Sequence, residues 1–278
     1  DHLKAGADAI VNALDEILVE RIYTRANNCL DAESLPETQR IYFEDTYMFA
    51  NEATVLNIFK ADKNFIKNGS NDDEIDYYTV VTAQTIFHPQ GGGQPSDEGT
   101  MQCVSSGVCF VVITVTSNNG TIFHTGYFNG EHFLKGTRVK QVIDAKKRSL
   151  HARLHSAGHC LDAALVQAGY TDLKPTKGCH FPTMTYVEYE GKVPADEKEK
   201  LMAQLEEILD KMVQEGIPTR INNPGIDGKS SRIVYVGSEE GCPCGGTHIN
   251  NTNQLGKVSI RKISSKKGVV KISYTLSD

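Results

Sequence analysis

The chain has no tryptophan, no long uninterrupted apolar run and no regular cysteine framework. A bilayer-spanning helix needs about 18 or more apolar residues in a row, so a helical membrane anchor is excluded for this stretch of sequence. Seven cysteines, an odd number with close spacing only at Cys242-Pro243-Cys244, do not make a disulfide scaffold. A reducing, cytoplasmic setting is expected instead. Residues 1–23 lack a basic stretch followed by an apolar core, so they do not read as a secretory signal. The first residue is Asp rather than Met, which predicts an original N-terminus further upstream and leaves open a longer parent enzyme. Neither sign of charge dominates strongly. The net charge of −6 argues against a surface coated for nonspecific nucleic-acid binding.

The basic residues that are present cluster. Residues 257–271 carry Lys257, Arg261, Lys262, Lys266, Lys267 and Lys271 with no acidic residue between them. Lys146, Lys147, Arg148 and Arg153 form a second group.

Periodicity predicts the elements. Ile10, Leu14 and Ile17 mark an amphipathic helix over 3–23, followed by a polar linker or cap over 24–38. Residues 41–133 read as strands, with β-branched and aromatic runs over 77–87 and 108–115 and a loop over 67–73. Asn119-Gly120 predicts a hairpin joining 108–115 to 121–128. A helix is expected over 144–168, with an apolar stripe of Leu150, Leu154, Ala157, Leu161, Ala164 and Ala168 and a stop at Gly169. At about 100° per residue, His151, His155 and His159 fall roughly a third of a turn from that stripe, facing a flank rather than the core. A second helix is expected over 196–215 on Leu201, Leu205, Ile208 and Met212, then strands over 232–236, 258–263 and 269–274. The expected fold class is α+β: a helical extension (1–38), a β-barrel-like domain (39–142) and an α+β metal-binding domain (143–278).

Two motifs carry metal chemistry. His155 and His159, four apart on a helix, are neighbours able to chelate one ion. Cys244-Gly245-Gly246-Thr247-His248 adds a thiolate and an imidazole, and its glycines permit a tight turn that converges both side chains. Three imidazoles and one thiolate suit tetrahedral zinc. Spacing alone leaves alternatives open: Cys242 for Cys244, His151 for His159, and the pair Cys179-His180. A metallopeptidase is excluded, because that chemistry needs a glutamate after the first histidine and Ser156 stands there. A third motif, Phe87-His88-Pro89-Gln90-Gly91-Gly92-Gly93-Gln94-Pro95, is neither a P-loop nor a dinucleotide fingerprint. Its glycines let another chain or a phosphate approach closely.

Four stretches in order resemble the alanyl-tRNA editing family, which comprises the editing domain of alanyl-tRNA synthetase and free-standing relatives called AlaX. They are Tyr42-Phe43-Glu44-Asp45-Thr46-Tyr47, the loop Gly91-Gly92-Gly93-Gln94, the His155/His159 pair and Cys244-Gly245-Gly246-Thr247-His248. Lys177-Gly178-Cys179-His180-Phe181-Pro182 is similar too, and the likeness covers about 39–275. It implies an ATP-independent hydrolase, of the medium-length free-standing class, that cleaves serine or glycine from mischarged tRNA(Ala) in trans. By the same resemblance His155, His159, Cys244 and His248 hold Zn2+, which polarises water or the carbonyl or anchors the substrate amine. Gly91, Gly92 and Gly93 shape the pocket and link the domains, and Gln94 orients substrate or water. Ser156, where the family commonly has Thr, offers a hydroxyl contact to the substrate, which would explain rejection of alanine. Arg148, Arg153, Lys262 and Lys266 contact the tRNA backbone. The competing expectation is a zinc-containing tRNA-binding module without catalysis.

Overall fold

The computed structural model describes residues 35–61, 75–223 and 231–277; the helix expected over 3–23 and the loop over 67–73 lie outside them. Among the described residues no helix is long and apolar enough to cross a membrane.

Six strands close a barrel: β1 (Ala50–Lys60), β2 (Tyr77–Thr82), β3 (Gly99–Cys103), β4 (Cys109–Asn118), β5 (Thr121–Phe128) and β6 (Arg138–Ile143). Their order is β1-β2-β5-β4-β3-β6, every neighbouring pair is antiparallel, and β6 returns to β1. The β4–β5 hairpin turns as expected, with Asn119 (φ 47°) and Gly120 (φ 82°) both left-handed, the conformation a two-residue turn needs to match strand twist. Period-two alternation in β6 buries Val139, Gln141 and Ile143 and exposes Arg138 and Lys140. The barrel fills with Val80, Phe87, Met101, Phe110, Val115 and Ile122. The strand expected over 77–87 is interrupted. After Thr82 the chain leaves the barrel, and Gln84–Thr85 pairs in parallel with Gln39–Arg40. Residues 36–38 are tied to the same hairpin, with Ile122 N–H donating to Thr38 Oγ1 (2.9 Å).

The second half is an antiparallel sheet under two helices. Helix α1 (Ala145–Gln167) follows β6 directly, capped by Asp144, whose carboxylate accepts from the amides of Lys146 and Lys147. Then come β7 (Lys174–Phe181), β8 (Met184–Glu190) and α2 (Lys198–Glu215). Three short strands follow, β9 (Arg220–Asn222), β10 (Ile233–Tyr235) and β11 (Cys242–Pro243), and then β12 (Lys257–Lys266) and β13 (Val269–Ser277). The main sheet runs β12-β13-β8-β7. Helix α2 stops at Gly216, left-handed at φ 64°. Its buried stripe is Leu201, Leu205, Leu209 and Met212, so Ile208 sits one position off the face expected for it. Strands β7 and β8 escape sequence patterning because β7 is an edge strand carrying Pro175, Gly178 and exposed lysines. The architecture is α+β with a barrel, as the sequence pattern implies.

The two hydrophobic cores are separate. A buried ion pair lies between them: Arg148 on α1 and Asp97 in the loop before β3, with side chains 0 % and 1 % exposed. Arg148 Nη1 also donates to the Thr46 carbonyl (2.8 Å), and His88 N–H donates to Asp97 Oδ2 (2.6 Å).

Candidate metal centre

Helix periodicity places His155, Gly158, His159 and Asp162 along one face of α1. The segment after β11 brings Cys244 and His248 onto that face. One ligand atom from each of His155, His159, Cys244 and His248 lies within 4.8 Å of the others. Cys244 Sγ stands 3.5 Å from His155 Nε2 and 3.4 Å from His248 Nε2. Burial is the main cause that holds all three imidazoles low, His159 at about 4 and His155 and His248 well below the ordinary value. They are therefore neutral donors at neutral pH. Burial pushes the Cys244 thiol up, against the nearby Arg232 cation, which pulls it down.

The ring orientations are set by hydrogen bonds. Gln94 is fully buried. Its Oε1 accepts from Thr247 N–H (3.0 Å) and its Nε2 donates to Thr247 Oγ1 (2.8 Å), which fixes the amide's direction. The 2.9 Å contact from His155 Nδ1 to Gln94 Oε1 then requires an N–H on Nδ1, leaving the Nε2 lone pair for a metal. Ser156 does the same for the other half. Its Oγ accepts from Ile249 N–H (3.1 Å) and lies 3.2 Å from His248 Nδ1. With Nδ1 donating to that oxygen, His248 also presents Nε2.

Ser156 is 0 % exposed, and its Oγ lies against His248 and Ile249, so it is placed to hold a ligand ring. One residue along a helix turns a side chain by about 100°, away from the cleft that His155 faces. Gln94 likewise is placed to hold His155. The basic residues divide. Arg148 is fully buried on Asp97 and cannot reach a phosphate. Arg153 is half-buried, with Nη2 donating to the Leu255 carbonyl (2.9 Å). Lys262 and Lys266 are exposed on β12, at the sheet edge opposite β7.

The glycines act by close approach. Gly92 (φ 57°) and Gly93 (φ 80°) form the turn between the paired Gly91 and Gln94. The Gly93 carbonyl accepts from His180 N–H (2.8 Å), and a Cβ on Gly93 would sit 2.3 Å from the Gly178 oxygen. The loop tip thus docks on β7, where no side chain would fit. In the second motif, a Cβ on Gly246 would lie 2.2 Å from His155 Cε1, whereas one on Gly245 would make ordinary contact. Neither has a positive φ, so Gly246 is required for packing on the ligand ring rather than for a tight turn.

His151 and Cys242, the alternative ligands, stay outside the cluster. Cys179 Sγ donates to the Met184 carbonyl (3.2 Å). His180 stacks on His155 (centroids 4.7 Å, interplanar 20°), and its Nδ1 lies 2.6 Å from Tyr274 Oη. Tyr274 Oη donates to the Leu154 carbonyl (2.9 Å), so it accepts from His180 Nδ1–H and leaves His180 Nε2 as an acceptor. Arg232 Nη1 clamps the motif from behind, donating to the carbonyls of Cys244 (2.7 Å) and Gly246 (2.9 Å).

The cluster forms part of the wall of a cleft of about 670 Å³. Gly92 and Gly93 line it from the barrel side, Lys177 and His180 from β7, and Asp162 from α1. Asp162 was missed by sequence reasoning. Its position three residues after His159, on the same helical face, was the available signal.

Residues 18–147 match the class II (A) tRNA synthetases, and residues 231–272 match the threonyl and alanyl tRNA synthetase second additional domain. An alanyl-tRNA editing protein AlaX-M from Methanosarcina barkeri is 30 % identical over 266 residues, covering 87 % of this chain and 100 % of that protein. The chain belongs to the alanyl-tRNA editing protein family. An AlaX-L editing protein from Pyrococcus horikoshii is 29 % identical over 250 residues, 85 % of this chain but 57 % of the relative. An alanine–tRNA ligase from Halorubrum lacusprofundi is 26 % identical over 264 residues, 87 % of this chain and 26 % of the ligase. The chain thus spans just over half of the Pyrococcus editing protein and about a quarter of the ligase. In this editing-family chain, Ser156→Ala is expected to weaken metal affinity by about 10- to 100-fold, the range for loss of a group that orients a ligand. Competition against a chelating dye measures it; unchanged affinity would show that Ser156 does not orient His248.

Proposed function

We propose that the protein hydrolyses, in trans, the ester of tRNA(Ala) mischarged with serine or glycine. The observation that carries this reading is the four-ligand cluster opening on a cleft, in a chain that matches an alanyl-tRNA editing protein over that protein's full length. The donor set fits zinc. Tetrahedral bonds of about 2.0–2.3 Å place neighbouring ligand atoms roughly 3.3–3.7 Å apart, and the two thiolate–imidazole separations are 3.4 and 3.5 Å. His155, His159, Cys244 and His248 would hold the ion. When bound, zinc would supply Lewis acidity beside the ester carbonyl.

The chain's own groups do the rest. An aminoacyl ester is already activated, so positioning and charge stabilisation matter more than a strong nucleophile. Gln94 and Ser156 keep the ligand rings in register. The loop at Gly92 and Gly93 supplies a wall with no side chains, which admits the terminal nucleotide of an acceptor arm. Exposed Lys177 at the cleft, with Lys262 and Lys266 on β12, suits phosphate contacts. A reducing, cytoplasmic compartment, where tRNA is charged, suits a thiolate ligand.

The test is release of amino acid from tRNA(Ala) charged separately with serine, glycine and alanine. Release of serine and glycine with the alanyl ester spared is the expected result. Saturable tRNA binding without release would overturn it in favour of a zinc-containing tRNA-binding module.

A further inference from the structure

Among the described residues Asp162 is the one carboxylate lining the cleft, and Lys177 is the one ammonium there. Asp162 shares the helix face of His155 and His159, about 4.5 Å along the axis from His159 at 1.5 Å per residue. Its Oδ1 accepts from Tyr189 Oη (2.6 Å), and Tyr189 is 1 % exposed. Among the described residues no lysine or arginine pairs with it, and its second oxygen takes no protein donor. Burial lifts its carboxyl to about 6, against the Tyr189 hydrogen bond. Half-buried on the cleft wall with a single neutral donor, this carboxylate is under-compensated, and a cationic ligand would complete it.

We propose that Asp162 receives the α-ammonium of the aminoacyl group, so that the protein takes esters with a free α-amine and rejects N-acylated ones. The inference rests on the deacylase reading for the identity of its ligand. The geometry suits it. The α-nitrogen lies two covalent bonds, about 2.5 Å, from the ester carbon, so an ester facing the ligand cluster has its ammonium within reach of the next turn of α1. Acylation of that nitrogen would remove the charge and put a bulky group against the helix. Peptidyl and formylated esters would thereby be spared.

The simpler role for Asp162 is a tether between α1 and β8 through Tyr189. Two variants separate the roles. Asp162→Asn keeps an acceptor for Tyr189 and removes the charge; Tyr189→Phe removes the tether and keeps the charge. Calorimetry would use a non-hydrolysable probe, 3′-deoxyadenosine bearing serine in amide linkage at the 3′ position, and its N-acetyl counterpart. The wild-type protein is expected to prefer the free amine by about 10- to 100-fold, the range of a charge-assisted hydrogen bond. Asp162→Asn should bind the two probes alike, and Tyr189→Phe should retain the preference. Equal binding by the wild type, or a preference that survives Asp162→Asn, would overturn the assignment. Turnover of seryl-tRNA(Ala) is read separately. Amine preference without turnover sinks the deacylase reading and leaves the ammonium subsite standing; turnover without amine preference does the reverse.

Discussion

Replacing His155 with alanine, or Cys244 with serine, is expected to abolish bound metal and reduce deacylation of seryl-tRNA(Ala) by at least about 10²- to 10³-fold, the usual loss when a group that stabilises developing charge is removed. Both residues belong to the cluster, and Cys242, the alternative thiol, is exposed and lies outside the group. His155 also anchors the site's packing. It stacks on His180, contacts Gly246 and is held by Gln94. The alanine variant should therefore lose thermal stability as well as metal, whereas Cys244→Ser should lose metal with little change in fold. Metal content by mass spectrometry and single-turnover deacylation check the result. Undiminished turnover in metal-stripped protein would remove the cluster from the mechanism.

Asp97→Ala is expected to lower unfolding free energy by about 3–5 kcal/mol, because it leaves the buried Arg148 guanidinium without its counter-ion. Arg148 is 0 % exposed, and Asp97 receives its Nε at 3.0 Å. For a chain of this length the fall corresponds to a melting temperature lowered by roughly 10 °C. The pair joins the loop after the glycine turn to the first turns of α1, so its loss should also loosen the seating of Gln94 on His155. Equilibrium urea unfolding measures the stability change. Removing both charges, as Asp97→Asn with Arg148→Met, should recover part of it, since no unpaired ion then remains buried. A loss under about 1 kcal/mol for Asp97→Ala, the range of an exposed ion pair, would show that the junction takes up water.

Much of the cluster was legible because helix periodicity is a local property. Residues four apart on α1 must be neighbours wherever the helix lies, so the His155/His159 pair needed no tertiary knowledge. The Asn119-Gly120 hairpin and the Gly169 stop were legible for the same reason, since each follows from backbone conformations few other residues adopt. Edge strand β7 was not, because Pro175 and Gly178 hide its pattern and the strand exists through pairing with β8. On α2, Leu201, Leu205 and Met212 are buried as expected and Leu209 takes the place expected for Ile208, because which of two neighbouring residues is buried depends on where the sheet lies beneath the helix.

Residue roles divided along the same line. Arg148 in a run of basic residues has the composition of a phosphate contact, and only its meeting with Asp97, 51 positions earlier, makes it structural. Ser156 beside a ligand has the chemistry of a substrate contact, and only the approach of His248 and Ile249 occupies it. Gly246 has the look of a turn residue, and only the face of His155 shows that it makes room. The sequence by itself determined which donors exist, which pairs share a helix face and that the fold mixes a barrel with a helix-covered sheet. Tertiary structure alone decided which donors meet, which charges are neutralised by burial and that Asp162 faces the cleft. Those outcomes depend on contacts between residues far apart in the chain, and burial and long-range pairing leave no periodic mark on the residues they join.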